Sequence, residues 1–328
     1  MGDIGHGKSN LITALLDDKD VVKEASSSES VTRVVFEYEY YADDDFRYSA
    51  TVRLFPWSRV KETITYCFRH LMNGVTRPEG ANESVEVDQK LSTTQELFAA
   101  LFPAGCPLYD GQVLQFQDKS CLMDGIRQND KSPSRRDLYA DVLAWALEQY
   151  EKAEHAAMTS VNVRTCNELW EKIVPFTYGK GNGNSLIDHN PWPFVELVRI
   201  GGPFPITKHN TRIADTPAGL NDINQLNRDR TEQYLPRCPV TIIVNQTDRI
   251  LSSIGIRRHL LNVKTRARPN HKMLLVTTRS ETAEFNDHAG QLSSESEEMN
   301  FLLDEEEDIA VELDRAESSS ESALMSEI

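Results

Sequence analysis

The fold is decided by residues 2–9, which read Gly2-Asp3-Ile4-Gly5-His6-Gly7-Lys8-Ser9. They match the pattern G-x-x-x-x-G-K-[ST] in full, and this pattern is typical of a phosphate-binding P-loop. Its glycines let the backbone curl until successive N–H groups face phosphate oxygens. Lys8 then reaches the β- and γ-phosphates, and the Ser9 hydroxyl can ligate Mg²⁺.

A helix has to follow the loop, because the helix N-terminus completes the anion site. Residues Asn10 to Leu16 predict this helix, since their leucine and isoleucine residues recur at i, i+4 spacing. A P-loop ordinarily hangs from the end of a buried strand, but only Met1 precedes the motif. We therefore expect either a truncated chain start or a sheet without its central strand. The candidate nucleotide-binding residues of this region are Gly2, Gly5, Gly7, Lys8, Ser9 and Asn10.

The composition suits one large or two modest globular domains, with 328 residues of which 39% are hydrophobic and 26% charged. The five cysteines are scattered without a C-x-x-C pair, which argues against a zinc site and a disulfide framework. This cysteine usage indicates a reducing compartment, and we expect the nucleus or the cytoplasm. The sequence shows no signal peptide, and its apolar runs, such as 240–244, are too short to span a bilayer.

The acidity of the chain is concentrated at its end. The formal net charge is −16, and residues 291–328 carry −12 of it, from thirteen acidic residues and one basic residue. This Ser/Glu-rich segment is predicted to be a disordered tail, because it cannot bury enough apolar area to offset its ordering entropy. Its protein partners are not identifiable from the sequence. The overall acidity also argues against nucleic acid as a partner.

The first half of the chain predicts strands followed by helices. Val31 to Tyr41 and Arg47 to Phe55 alternate as strands do, and an acidic turn joins them. Pro56 to Asn73 is predicted to be helical, and the region from Val85 to about Ile173 is mostly helical. Its strongest helix is expected at 134–157, where the apolar positions follow a 3.6-residue period.

The second half alternates strands with helices, which predicts a parallel α/β sheet. The predicted strands are Phe194–Ile200, Thr211–Ala214, Val240–Asn245 and Met273–Thr277, and the predicted helices are Asn221–Arg237 and Ile254–Lys264. The last two strands are continuous apolar runs, so both are expected to be buried.

Hydrolysis of a nucleotide needs an acid for the Mg²⁺ shell and a mobile threonine near the γ-phosphate. Asp215 is placed for the first role, directly after a short strand. In the Asp-x-x-Gly pattern of GTPases the fourth residue is glycine, but here Ala218 stands there and Gly219 comes one residue late. Thr32 is the candidate switch residue, although it can also be read as a plain strand residue. The predicted metal ligands are Ser9, Thr32 and Asp215, and the predicted catalytic residues are Lys8, Thr32 and Asp215.

Guanine is normally read by an Asn/Thr-Lys-x-Asp motif after a later strand, and two segments compete for this role. Thr278-Arg279-Ser280-Glu281 has the expected order, with Arg279 for lysine and Glu281 for aspartate. The segment Asn245-Gln246-Thr247-Asp248 matches the motif at more positions. However, it follows the strand before the one that is expected to carry the motif. We therefore assign base binding to Thr278, Arg279 and Glu281.

Several segments together resemble the dynamin-type GTPase domain, and more narrowly the fungal relatives of the nuclear GTPase SLIP-GC. In that group a W-P-x-V…V-x-I-x-G-P-F segment leads into D-x-P-G-x-x-D and a helix that ends in Y-L-x-x-C. The matching segments are 2–9, 191–204, 215–222 and 234–238, and the resemblance spans roughly residues 2–285.

The resemblance implies an α/β P-loop GTPase domain at 1–290 with a helical insertion at about 74–190. It also implies GTP and Mg²⁺ as ligands, hydrolysis to GDP and phosphate, and a homodimer through the GTPase domain. The late glycine and Glu281 depart from the family pattern. Two alternatives therefore stay open: a catalytically impaired pseudo-GTPase that acts as an interaction module, and an ATPase of another P-loop class.

Overall fold

The computed structural model divides the chain into two units, Met1–Thr278 and Arg279–Ile328. All the residues it describes belong to the first unit, so the predicted acidic tail lies outside them. The described residues are 7–22, 33–76, 85–102, 105–107, 113–114, 116, 125–126, 137–157, 160–177, 190–217, 225–246 and 271–278.

The described part contains six helices and nine strands in an α/β arrangement. The helices are α1 Lys8–Leu16, α2 Trp57–Thr76, α3 Val85–Leu101, α4 Leu138–Ala156, α5 Cys166–Ile173 and α6 Gln225–Tyr234. The strands are β1 Val35–Tyr40, β2 Tyr48–Leu54, β3 Cys106–Pro107, β4 Val113–Leu114, β5 Val161–Val163, β6 Val195–Gly202, β7 Ile213–Asp215, β8 Val240–Gln246 and β9 Lys272–Thr278. None of the described helices combines the length and the apolar character needed to cross a membrane.

The main sheet has five strands in the order β5-β2-β6-β1-β7. It is mixed rather than largely parallel, because only β1 and β6 run parallel while the other pairs are antiparallel. The acidic turn joins β1 and β2 as predicted, but β6 lies between these two strands. β6 takes the middle position because its apolar side chains are buried on both faces, which a half-solvated edge strand would not allow.

One face of the main sheet is covered by α1 and α5. Phe36 and Tyr38 of β1 point to this face, beside Val198 and Ile200 of β6. The alternation along each strand puts these residues on the same side. Helix α1 contributes Ile12 and Leu16 to the same core, and helix α5 contributes Leu169, Trp170 and Ile173.

The opposite face is packed by α6 over a smaller apolar cluster. Val35 of β1, Leu197 of β6 and Tyr234 of α6 form this cluster. The neighbouring positions of the strands on this face are charged, as Glu37 and Arg199 show. Apolar burial on this side is therefore confined to one end of the sheet.

A separate core joins helices α2, α3 and α4. Helix α4 confirms the prediction for 134–157, with Leu138, Val142, Ala146 and Tyr150 buried at i, i+4 spacing. It starts after Asp137, whose side chain accepts from the N–H groups of residues 139 and 140. Such a cap satisfies donors that have no acceptor within the helix.

Strands β8 and β9 form a parallel pair, with Val240 opposite Lys272 and Gln246 opposite Thr278. The prediction that β9 is buried is wrong, since Leu274 is 54% exposed and Leu275 is 49% exposed. Among the described strands, only β8 pairs with β9, and only β1 pairs with β7. An apolar run is buried when its sheet is covered, and the described elements do not cover β9.

Candidate functional site

Helix α1 begins at Lys8 after a turn that only glycine makes easily. Gly7 has φ 85° and ψ 18°, in the left-handed region where other residues are strained. Its carbonyl accepts the first helical bond, from Leu11 N–H at 3.0 Å, and the described residues provide no side-chain cap. A Cβ at Gly7 would lie 3.3 Å from Thr278 Cγ2. The helix therefore starts beside the end of β9.

Strand β7 delivers Asp215 to the same region. Asp215 is its last residue and is only 5% exposed. The two residues after it are also buried, and Thr231 of α6 donates a hydrogen bond from its hydroxyl to the Pro217 carbonyl at 3.0 Å. Helix α6 therefore fixes the segment that leaves the strand, including the path of the chain after Asp215.

Lys8 and Asp215 line one cavity of about 1060 Å³. Residues of α1, β7 and β8 all contribute to the cavity wall. These three elements are not consecutive in the sequence. The apolar part of this wall consists of Leu11, Ile12, Leu15, Ile213, Ile242 and Val244. Two residues that the sequence predicts for phosphate and metal binding, Lys8 and the buried Asp215, therefore line the same cavity.

The donor set suits a magnesium-bound phosphate chain. The N–H groups of the first helical turn have no acceptor inside the helix, and the helix dipole favours an anion there. Lys8 adds a positive charge, while the hydroxyl of Ser9 and the carboxylate of Asp215 are oxygen ligands of the kind that Mg²⁺ prefers. Among the described residues, no group of three His, Cys, Asp or Glu side chains is placed to hold a metal ion by protein ligands alone.

The other predicted residues divide into two groups. Ser9 and Asn10 lie in the first turn of α1, and Thr278 lies beside Gly7. The predicted residues that lie outside the described part are Gly2, Gly5, Thr32, Gly219, Arg279 and Glu281. Both segments considered for base binding leave from the same end of the β8–β9 pair, since Gln246 is opposite Thr278.

A buried ionic cluster lies on the α6 side of the sheet, where the sequence analysis predicts no site. The Tyr234 hydroxyl donates to one carboxylate oxygen of Glu37 at 2.5 Å. Arg199 donates to the other oxygen through Nε and Nη2, at 3.0 and 2.9 Å. Glu37, Arg199 and Tyr234 also line the cavity that holds Lys8 and Asp215.

The protonation state of this cluster follows from its contacts. Burial by itself raises the pKa of Glu37, but the hydrogen bonds from Tyr234 and Arg199 and the charges of Arg199 and Arg212 outweigh it. The pKa of Glu37 is therefore lowered below its ordinary value, and the group is a carboxylate at neutral pH. Burial and the bond to Glu37 raise the pKa of Tyr234, so its hydroxyl keeps the proton that it donates.

Sequence reasoning missed this cluster because charged residues that alternate with apolar ones look solvated. Glu37 stands between Phe36 and Tyr38, and Arg199 stands between Val198 and Ile200. The available signal was the opposite charge at equivalent positions of two predicted strands. It becomes informative only once the register of β1 and β6 is known, which places Glu37 opposite Arg199.

Comparison with known proteins adds no identity to this site. No protein-family model matches the chain, and no curated protein matches it.

Proposed function

We propose that the chain is a dynamin-like GTP-binding protein with a P-loop NTPase fold, which hydrolyses GTP to GDP and phosphate with Mg²⁺. The observation that carries this proposal is the convergence of Lys8 and Asp215 on one cavity beside the left-handed Gly7. The motif at residues 2–9 predicts a phosphate site. Phosphate binding alone needs no acidic residue, whereas hydrolysis with Mg²⁺ does. Asp215 in the cavity wall is a buried acid of this kind.

Each residue has a role that follows from its position. The first turn of α1 and the Lys8 ammonium bind the β- and γ-phosphates, because both present positive charge to an anion. Ser9 and Asp215 are the residues that would hold Mg²⁺, and the ion would supply positive charge against the negative charge that develops during hydrolysis. Asp215 binds from the end of β7, where α6 fixes the chain through Pro217. Thr32 is the proposed residue that responds to the γ-phosphate.

The guanine base is assigned to the end of β9. The closeness of Gly7 and Thr278 supports this choice, since a Cβ at Gly7 would lie 3.3 Å from Thr278 Cγ2. Residues Arg279 and Glu281 follow Thr278 in the sequence and lie outside the described residues. A glutamate can accept from the ring N–H and the exocyclic amine of guanine, as an aspartate does.

The pseudo-GTPase alternative rests on a specific sequence feature, the displacement of the glycine to position 219. That glycine would have to approach the γ-phosphate closely. A protein that binds GTP but releases no phosphate over many hours would be this pseudo-GTPase. The ATPase alternative predicts that ATP displaces GTP at similar concentrations.

The proposal is tested with the variant Lys8→Ala and a fluorescent GTP analogue in the presence of Mg²⁺. We expect the variant to lose binding, because the phosphates lose the nearest protein cation of the loop. The matched control is Lys152→Ala, which removes the same charge from an exposed i, i+4 ion pair on α4. Equal affinity of the wild-type chain and Lys8→Ala, or no binding by the wild-type chain, would contradict the proposal.

A further inference from the structure

Two neighbouring residues of α6 hold two different segments of the chain. Thr231 holds the Pro217 carbonyl, two residues after Asp215. Arg230 holds the Arg33 carbonyl through one guanidinium nitrogen, and Arg33 directly follows Thr32 in the sequence. Successive residues on a helix point in directions that differ by about 100°, so one turn of α6 contacts both segments.

The second guanidinium nitrogen of Arg230 extends the link to a third segment. It donates to the Trp192 carbonyl at 2.9 Å and to the Pro193 carbonyl at 3.0 Å. These residues form a short 3₁₀ turn that leads directly into β6. The planar fork of the guanidinium allows these bonds to be made together, whereas a lysine ammonium has no such fork. Arg230 therefore joins the start of β1 to the start of β6.

The burial of Arg230 indicates more than a surface contact. The side chain is buried, and in the described part of the chain no carboxylate forms an ion pair with it. Burial and the nearby charge of Arg33 lower the pKa of Arg230 to about 9, so it remains a cation at neutral pH. A buried cation without a carboxylate partner among the described residues is costly, and an apolar residue could fill the same space.

The Trp192 side chain reports on this arrangement. Two guanidinium groups lie over its ring, with Arg33 at 5.3 Å and Arg230 at 5.0 Å from the ring centre. The ring is fully buried, and its indole N–H has no acceptor within the described part of the chain. A change in the position of either arginine would therefore alter the polarity around the indole directly.

We propose that Arg230 is a positioning residue that couples the segment at Arg33 to the segment at Pro217 through α6. The coupling rests on the proposed function, because Thr32, which precedes Arg33 in the sequence, and Asp215, two residues before Pro217, are the residues proposed to respond to the γ-phosphate and to hold Mg²⁺. When the site binds GTP, the segments that Arg230 and Thr231 hold move with their neighbours. The movement reaches Trp192 through the carbonyl bonds of Arg230. Nucleotide binding is therefore expected to change the fluorescence of Trp192.

The test combines tryptophan fluorescence with calorimetric titration of a non-hydrolysable GTP analogue in Mg²⁺. In the wild-type chain we expect the analogue to change the fluorescence, and Trp192→Phe should remove the change although three other tryptophans remain. Arg230→Lys keeps the charge but lacks the fork, so most of the change should be lost. Its Kd should stay within about tenfold of the wild-type value. Arg59→Lys, on the exposed face of α2, is the matched control and should retain the full change.

A second variant keeps the test decisive if Arg230→Lys does not fold. Thr231→Val preserves the shape of the side chain and removes only the bond to Pro217, so it should also reduce the Trp192 response while the analogue still binds. A full response in either folded variant would overturn the coupling. Binding by the wild-type chain without any change at Trp192 would overturn the coupling alone. Absence of binding by the wild-type chain would overturn the proposed function as well.

Discussion

The five-stranded sheet and the β8–β9 pair both contain apolar runs but differ in how deeply these runs are buried. In the main sheet, Val198 and Ile200 of β6 are fully buried. In the pair, Ile243 and Val244 of β8 are buried, while Leu274 of β9 is more than half exposed. An apolar run therefore predicts that a strand can be buried, whereas the packing of neighbouring elements decides whether it is buried.

The proposed site uses residues of both regions. Phosphate and metal binding are assigned to α1, which packs against the core of the main sheet, and to β7, which is a strand of that sheet. Base binding is assigned to the end of β9, which has one described neighbour. We therefore expect the stability of the chain to depend on the main sheet, and base recognition to depend on the pair.

The largest expected effect is a difference in the free energy of unfolding when one apolar side chain is truncated in each region. Ile200→Ala should lower the free energy of unfolding by about 2–5 kcal/mol, because it removes buried methyl groups from a packed core. Leu274→Ala should change it by less than about 0.5 kcal/mol, as surface substitutions do. Urea unfolding curves measure both values. Equal losses in the two variants would show that β9 is covered in solution.

A second prediction concerns the buried carboxylate of the main sheet. Because the pKa of Glu37 is lowered in the folded chain, its contribution to stability is present above the ordinary carboxylate pKa of 4.5. It is lost as the pH falls through the lower, folded-state value. At neutral pH, Glu37→Gln should therefore cost about 1.5–3 kcal/mol, the range for hydrogen bonds to charged groups.

The measurement for Glu37 is the free energy of unfolding of both chains between pH 7 and pH 3. The gap between the wild-type chain and Glu37→Gln should narrow as the pH falls below 4.5. Glu62→Gln is the control, since Glu62 forms an exposed ion pair on α2. A gap that stays constant with pH would mean that Glu37 is not held as a carboxylate by its partners.

A smaller effect is expected where the two regions meet, at Gly7 and Thr278. Gly7→Ala should cost about 1–2 kcal/mol, because alanine is strained at positive φ. The added Cβ would also crowd Thr278 Cγ2 at 3.3 Å. The double variant Gly7→Ala/Thr278→Ser removes that methyl group, so it should recover only the steric part. Full recovery in urea unfolding would show that the backbone at Gly7 is not strained.

Local elements of the fold were predictable from the sequence where the decisive signal was local. Helix α4 follows its apolar period and its Asp137 cap, and β1, β2, β6 and β8 lie where alternation or apolar runs indicated. The pairing of these strands was not predictable in the same way. β6 comes between β1 and β2 although it follows them by more than a hundred residues, and no turn residue encodes that insertion.

The candidate site shows the same division. The motif at Lys8 predicted the start of α1, and the short strand before Asp215 predicted its position at a strand end. Their shared cavity depends on long-range packing, as does the role of Arg230, which looked like one more polar residue of a polar helix. Contacts of this kind involve partners far apart in the sequence, so composition and periodicity carry no trace of them.

The most direct test of the central claim is a calorimetric titration of the wild-type chain with GTP. In the presence of Mg²⁺ we expect one GTP to bind per chain, and chelation of Mg²⁺ should weaken the affinity. The same titration of Asp215→Asn should lose most of this dependence on Mg²⁺, because the amide cannot replace the anionic ligand. No heat of binding with GTP, or an affinity that ignores both Mg²⁺ and Asp215, would contradict the account.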